Sequence, residues 1–291
     1  MTKNNKPNVF KLAIQKSGRL TDDAVRLLNE IGLKFNHGNR ALRAPLEGMN
    51  AEILFLRDDD IPEYVENGVA HAGIVGLNTL VESGKQIRVV SSLDFGHCRL
   101  SLAIPKDQSY SGPEFFKNKR IATSYPNIVM RYFNEKNIPV TIEKIKGSVE
   151  ISVSLGLADG IFDIVSTGST LLMNGLKEAE TVMKSSAVLI SGNHLTDEHE
   201  SVLSDLLFRI QSVQHAKKNR YIMLNCPEEK AESIGKLLPG VKSPTVLPLA
   251  MKGWCSLHSV IHEEDFWPLL SRLKKEGAQG ILVIPIEKMV I

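Results

Sequence analysis

Two stretches set the fold class: Ile53-Leu-Phe-Leu-Arg-Asp-Asp-Asp-Ile-Pro62 and, a little further on, Ala72-Gly-Ile-Val-Gly76. Each begins as a short apolar run of strand length. The first breaks into charge and then into Pro62, a residue suited to the first turn of a helix. The second is uniformly small and apolar, as a strand buried on both faces would be, and a helix is expected near Asn78. Upstream, residues 9–14 alternate like a strand. Thr21 there reads as a helix N-cap before two aspartates and the helical spacing of Val25, Leu27, Leu28 and Ile31, which Gly32 closes. Strand, helix, strand, helix predicts a parallel sheet covered on both faces.

The same rhythm continues downstream. Strands are expected at 87–93 and 100–104 around Asp94-Phe-Gly-His97, and 107–119 is polar and turn-rich, a domain edge. Alternation restarts at 120–124, followed by a helix at 126–136, a strand at 141–145, a helix at 148–157 and a strand at 162–165. A helix runs on from Ser169, an extended strand covers 181–191, and a long helix covers 197–217. The last stretch reads strand 220–224, helix 227–238, strands 245–249 and 254–261, helix 264–276 and strand 280–284, the β-α-β-β-α-β order of a ferredoxin-like unit. The predicted class is α/β. Residues 1–104 and 181–217 form one lobe and 105–180 a second, arranged as in periplasmic binding proteins with a cleft between them, and 218–291 form a ferredoxin-like domain.

Composition narrows the function classes. Of 291 residues, 43% are apolar, and 35 Lys and Arg nearly balance 33 Asp and Glu. A net charge of +2 gives no bulk attraction to nucleic acid or an anionic membrane. No apolar run approaches the roughly 18 residues of a membrane span, and the polar start has no signal-peptide core. Cys98, Cys226 and Cys255 show no metal-ligand spacing, which fits a reducing cytoplasm.

Four segments carry chemistry. In Asp163-Ile-Val-Ser-Thr-Gly-Ser-Thr170 an apolar strand ends in an acid, and Ser166, Thr167, Ser169 and Thr170 surround Gly168. Backbone N–H groups and hydroxyls of such a turn attract a phosphate, and the acid can accept from ribose hydroxyls. The plainer alternative is a hydroxyl-capped helix. Gln15-Lys-Ser-Gly-Arg19 sits at the carboxyl end of the first strand, where ligands bind in α/β sheets. Lys16, Ser17, Gly18 and Arg19 there make either a phosphate-neutralising loop or a basic surface turn. Arg57-Asp58-Asp59-Asp60 offers one helix-capping carboxylate and others within reach of Mg2+, although a solvated helix start is the commoner case for such a run. Asp94, Arg99 and Ser101 lie on a crossing segment that can line a cleft, while His97 and Cys98, adjacent on a strand, point to opposite faces and make no nucleophile–base pair.

An acid followed by a Thr-Gly-x-Thr type loop resembles the phosphoribosyl-pyrophosphate motif of phosphoribosyltransferases. Many of those carry a second adjacent acid where Ile164 stands here, which points to Glu150 as the partner of Asp163. Segments 15–20, 57–62, 93–103, 119–126, 147–150, 157–170 and 282–289 together resemble ATP phosphoribosyltransferase, the enzyme that opens histidine biosynthesis, in its long form. The resemblance implies that adenine N1 of ATP attacks the anomeric carbon of phosphoribosyl pyrophosphate in the presence of Mg2+. Asp163, Glu150 and Arg19 would be catalytic. Asp163, Glu150 and Ser166 to Thr170 would bind the donor. Lys16, Ser17, Gly18, Arg19, Arg57, Asp94, Arg99 and Ser101 would meet ATP or pyrophosphate. It also implies a C-terminal regulatory domain binding histidine as feedback inhibitor near Asn225, Thr245, Val260 and Gly280, and a homo-hexamer built from dimers. Two rival classes are a solute-binding protein, which would have no use for the C-terminal unit, and a ligand-sensing regulator, which needs a basic DNA-binding helix pair that the sequence does not offer.

Overall fold

The computed structural model describes residues 9–36, 41–166, 168–238 and 240–291. The chain forms two compact units, the first ending at Leu203 and the second beginning at Ser204. The first unit opens with β1 (Phe10–Gln15), α1 (Arg19–Glu30), β2 (Arg43–Pro45), β3 (Ala51–Leu56), α2 (Ile61–Glu66), β4 (Ala72–Gly76), α3 (Leu77–Ser83) and β5 (Arg88–Ser92). It continues with β6 (Cys98–Pro105), β7 (Arg120–Thr123), α4 (Pro126–Glu135), β8 (Thr141–Lys144), β9 (Gly160–Val165), α5 (Ser169–Met173), β10 (Leu176–Ser185) and β11 (Ala187–Ser191). Helix α6 (Asp197–Lys218) spans the boundary between the units.

Two sheets organise the first unit. One has the order β2-β3-β1-β4-β11-β5, and the other β10-β6-β9-β7-β8. The expected parallel pairing occurs in both, with β1 parallel to β3 and β4 at the centre of the first sheet and β7 parallel to β8 and β9 at one end of the second. The remaining pairings, β2-β3 and β4-β11-β5 in the first sheet and β10-β6-β9 in the second, are antiparallel. Parallel pairing brings several strand carboxyl ends to one edge of a sheet, and the loops after β1, β3 and β4 emerge together there.

The second unit contains β12 (Asn219–Pro227), α7 (Ala231–Gly235), β13 (Thr245–Pro248), β14 (Trp254–His262), α8 (Phe266–Lys275) and β15 (Gln279–Pro285). Its sheet order, β13-β14-β12-β15, is antiparallel throughout, the ferredoxin-like arrangement expected. Ile222, Leu224, Cys226, Cys255 and Leu257 form one buried face with Leu269 and Leu273 of α8.

Several expectations change. Helix α1 begins at Arg19, two residues before the expected cap. Thr21 is buried inside it, and its hydroxyl donates to the Gln15 carbonyl at 3.2 Å. The helix expected at 148–157 is a 3-10 turn, Val149–Ile151, followed by further turns. Ser152 and Ser154 return their hydroxyls to the carbonyls of Val149 and Ile151, and β-branched Val149, Ile151 and Val153 further disfavour a helix. The strand expected at 181–191 is two strands in different sheets, parted at Ser186. Strand β6 also lies in the second sheet, so lobe edges drawn at 104/105 and 180/181 fall inside strands β6 and β10 of that sheet. The three-residue β2, ending in a proline, was not legible.

The lobes of the first unit meet at α4. This helix has no side-chain cap of its own from Tyr125. Glu82 of α3 supplies one: its carboxylate accepts from Asn127 N at 2.9 Å and Ile128 N at 3.0 Å, while Asn127 Nδ2 donates to the Glu82 carbonyl at 2.8 Å. Glu82→Ala removes a cap that also ties the lobes together. We expect a loss of about 0.5–2 kcal/mol in urea or thermal unfolding. A variant as stable as the parent would show that the contact carries no stabilising energy.

Candidate active site

Strand β9 delivers Asp163 to its carboxyl end, and the chain turns through Ser166 and Gly168 into α5. Gly168 holds φ +81°, a left-handed conformation that a side chain would strain. Helix α5 has only five residues, so loop N–H groups and hydroxyls, more than a helix dipole, make this turn attractive to an anion. Thr167 lies outside the described residues. Ser166, Gly168, Ser169 and Thr170 line a cavity of about 480 Å³ with Asp163, Glu150 and Arg19. Glu150 arrives from the 3-10 turn after β8, so two carboxylates share one wall. Burial, chiefly, pushes the Asp163 carboxyl up to about 6. The nearby Glu150 adds to the rise, and the Ile164 N–H and Arg19 oppose it.

From the other lobe Arg19 lines this cavity, while Lys16, Ser17, Gly18, Arg57 and Asp94, also expected to meet ATP or pyrophosphate, are not among its lining residues. Lys16 and Ser17 are exposed in the turn after β1. Gly18 adopts φ +129°, a conformation that would strain any residue with a side chain, so the turn favours glycine. Arg19 then opens α1 and donates from Nη1 to Ser166 Oγ at 2.8 Å, reaching across to the loop. Arg57 is exposed after β3, and Asp94, at φ 60°, is exposed in the crossing turn and 3.5 Å from His97.

Ser101 is closed off from the cleft, and Arg99 is engaged by protein partners. Arg99 grips Glu178 with Nε and Nη2, each at 2.6 Å, and donates from Nη1 to the Ser166 carbonyl at 2.9 Å. Ser101 is fully buried and donates to Glu178 at 2.7 Å, so its hydroxyl is closed to a ligand. The Arg99 guanidinium holds the Glu178 carboxyl down at about 2, with the Ser101 and Thr181 hydroxyls adding to the fall while burial opposes it. Sequence reasoning missed Glu178 altogether, because β10 is an unremarkable strand until its partner is known.

A second cavity, of about 260 Å³, adjoins Arg19 and Ser166 and is lined by Gln15, Asp58, Asn78, Cys98 and Tyr125 among others. Asn78 Nδ2 donates to the Tyr125 hydroxyl at 3.3 Å, joining β4's end to the second lobe. Asn78 stands where α/β sheets place ligands, and that rule was the one available signal for it. Burial pushes the Cys98 thiol above its usual range, the wrong direction for a nucleophile.

The three consecutive aspartates do not converge. Asp58 accepts from buried Thr79 at 2.6 Å, and Asp59 lines a separate cavity with Lys144 and Lys146. Among the described residues no three His, Cys, Asp or Glu side chains gather as metal ligands. Asp163 and Glu150 are the carboxylates that line the cavity, and two carboxylate oxygens suit a hard cation that takes its other ligands from phosphates and water.

In the second unit, Asn225, Thr245 and Val260 share the sheet face turned away from the helices. Asn225 is opposite Ser256, Thr245 opposite His258 and Val260 opposite Tyr221, while Leu224, Cys255 and Leu257 point into the core. Gly280 abuts Asn225, whose Nδ2 lies 3.4 Å from where a Cβ would stand. The sequence did not single out His258, which joins Tyr221 at 2.7 Å and Ser256 at 3.1 Å on this face.

An acid, a hydroxyl-rich glycine turn and a facing arginine surround one cavity in a two-lobed α/β unit, and likeness to known proteins assigns the class, a phosphoribosyltransferase. The ATP phosphoribosyltransferase (HisG) family matches residues 57–212, and the HisG C-terminal domain matches 216–288. The chain is 53% identical to the ATP phosphoribosyltransferase of Cytophaga hutchinsonii, over 97% of this chain and 99% of that one. It is 50% identical to that of Parabacteroides distasonis, over 97% and 100%. A solved ATP phosphoribosyl transferase (HisG:HisZ) complex from Thermotoga maritima matches with a TM-score of 0.60 and 30% identity, over 70% of this chain and 99% of that one. The structure of Tv2483 bound to L-arginine, at 9% identity and a TM-score of 0.50, shares the fold alone. This chain belongs to the ATP phosphoribosyltransferase family, in the long form that carries the additional C-terminal domain.

The raised carboxyl of Asp163 has a sign that stability measurements can check. Its proton is held more tightly in the folded protein than in the unfolded chain, near pH 4. This contribution to stability is full below that value and lost as pH rises through about 6. Asp163→Asn should therefore raise the melting temperature at pH 8, with the gain shrinking towards pH 4.5. A gain independent of pH would show that ionisation of Asp163 is not its cause.

Proposed function

We propose that this chain transfers the phosphoribosyl group of phosphoribosyl pyrophosphate to N1 of ATP, releasing pyrophosphate, as the first step of histidine biosynthesis. The observation that carries this reading is the 480 Å³ cavity in which the Asp163 loop, Glu150 and Arg19 face one another. The hydroxyls of Ser166, Ser169 and Thr170 and the turn at Gly168 hold the 5′-phosphate, with Thr167 in the same loop. Asp163 and Glu150 accept from the ribose hydroxyls. Lys16, Ser17, Gly18, Arg19, Arg57 and Asp94 meet ATP or the departing pyrophosphate on the facing lobe, and Arg99 contributes through the loop.

Adenine N1 has a free lone pair, so attack needs neither a base to remove a proton first nor an enzyme nucleophile. The protein's work is orientation and the handling of charge. The Asp163 carboxylate attracts the positive charge that the ribose ring gains beside it, an interaction stronger in the transition state than in the ground state. Mg2+, when bound, would offset phosphate charge, and Asp163 and Glu150 are the carboxylates that would hold it. Arg19 must release Ser166 when a phosphate takes its place, which links donor binding to the lobe interface.

The second unit binds histidine as a feedback inhibitor on the sheet face bearing Asn225, Thr245 and Val260, with Gly280 beside Asn225. The enzyme works in the cytoplasm as a homo-hexamer built from dimers. The three cysteines are free, as a reducing compartment would keep them, and among the described residues no helix is long and apolar enough to cross a membrane.

An absorbance assay for the N1-substituted adenine product, with ATP, phosphoribosyl pyrophosphate and Mg2+, tests the reaction; absence of any adduct would overturn it. Asp163→Asn should lower kcat by roughly a hundredfold to a thousandfold, the scale of one lost transition-state interaction, while KM for ATP changes little. Near-normal turnover would remove Asp163 from the site. A chain ending near Lys217 should lose inhibition by histidine, and inhibition surviving that deletion would refute the assignment to the second unit.

A further inference from the structure

Glu178 has no direct part in the reaction as proposed, yet four hydrogen bonds converge on it. Arg99 donates twice at 2.6 Å, Ser101 Oγ at 2.7 Å and Thr181 Oγ1 at 3.1 Å. The third arm of Arg99, Nη1, holds the Ser166 carbonyl at 2.9 Å. Ser166 is thus gripped twice, by Arg19 at its hydroxyl and by Arg99 at its backbone. A carbonyl oxygen aimed into an anion site would repel a phosphate. Here the first carbonyl of the loop is engaged by Arg99 instead.

The local backbone is built for this contact. Strand β10 bulges between Glu178 and Glu180, where it pairs with β6. The bulge shifts the side-chain alternation, so Glu178 and Thr181, three residues apart, both reach Ser101, while Glu180 turns to Tyr110 and Tyr132. Glu178 also neutralises Arg99. Without it a free guanidinium would stand beside the loop and compete for a substrate phosphate.

We propose that Glu178 is a positioning residue for the transfer, acting through Arg99 to fix the entry of the phosphate loop. This rests on the reading that the loop holds the donor's 5′-phosphate. The test is steady-state kinetics on full-length Glu178→Gln, Arg99→Met, Arg99→Lys, the double variant Glu178→Gln/Arg99→Met, and Thr170→Val as a control on the loop itself. Glu178→Gln, nearly isosteric, should lower kcat/KM for phosphoribosyl pyrophosphate by about tenfold to a hundredfold, with KM for ATP unchanged. Arg99→Lys, which keeps the charge but not the fork, should behave like Glu178→Gln. The double variant should be no worse than Arg99→Met alone, since both break one chain of contacts.

Multiplying losses in the double variant, or a lowered melting temperature with kcat/KM retained, would overturn the proposal. Should Thr170→Val raise KM for the donor while Glu178→Gln leaves the kinetics unchanged, the proposal fails and the loop reading stands. Should neither variant affect the donor, the loop reading itself falls. If Arg99→Met does not fold, the comparison of Glu178→Gln with Arg99→Lys decides, and Arg99→Lys at parental activity overturns the proposal.

Discussion

The lobes of the first unit depend on a small knot of hydrogen bonds where the chain crosses between its two sheets. It crosses once between β5 and β6 and again between β10 and β11. The crossings bond to each other, Leu93 N to the Ala187 carbonyl at 3.0 Å and Ala187 N to the Phe95 carbonyl at 2.9 Å. Leu77 N reaches the Ser186 carbonyl at 2.9 Å. Buried Ser185 accepts from Asn78 N at 3.0 Å and donates to Asn78 Oδ1 at 2.8 Å. Buried polar groups tolerate little displacement without losing partners, so this knot fixes where the two lobes begin.

From that origin the chemistry divides between the lobes. The second lobe supplies the hydroxyl loop and two carboxylates. The first supplies exposed cations on turns that follow parallel strands. Each half is incomplete: a hydroxyl loop without cations binds a phosphate weakly, and cations without the loop have no geometry. The Arg19–Ser166 bond occupies the meeting point of the two. Half-burial of Asp163 next to Glu150 keeps a carboxyl in a state that costs stability near neutrality, a common property of sites organised for charge.

Much of this was legible in the chain. Apolar runs ending in Arg57-Asp58-Asp59-Asp60, in Gln15-Lys-Ser-Gly-Arg19 and in Asp163 to Thr170 mark strands that deliver polar groups at their carboxyl ends, because parallel strands leave nowhere else for them. Glu150 was legible only by its absence elsewhere: Ile164 occupies the place of a second acid, and the cavity does contain Glu150. Ser101 was not legible as a buried residue because polar residues on a strand look alike whether they face a ligand or a buried partner. The partner, Glu178, sits 77 residues from Ser101 in the chain.

The sequence by itself determined the α/β class, the ferredoxin-like second unit and the loop at Asp163, since each follows from local periodicity, a glycine-dependent turn or a run of residue types. Only the tertiary structure decided which groups face one another. The bulge in β10 that turns Glu178 towards Arg99 depends on pairing with a distant strand. So does the split of 181–191 between two sheets, and so does the reach of Arg19 to Ser166 across 147 residues of chain. Register and sheet membership are set by contacts far apart in sequence, which local patterns do not encode.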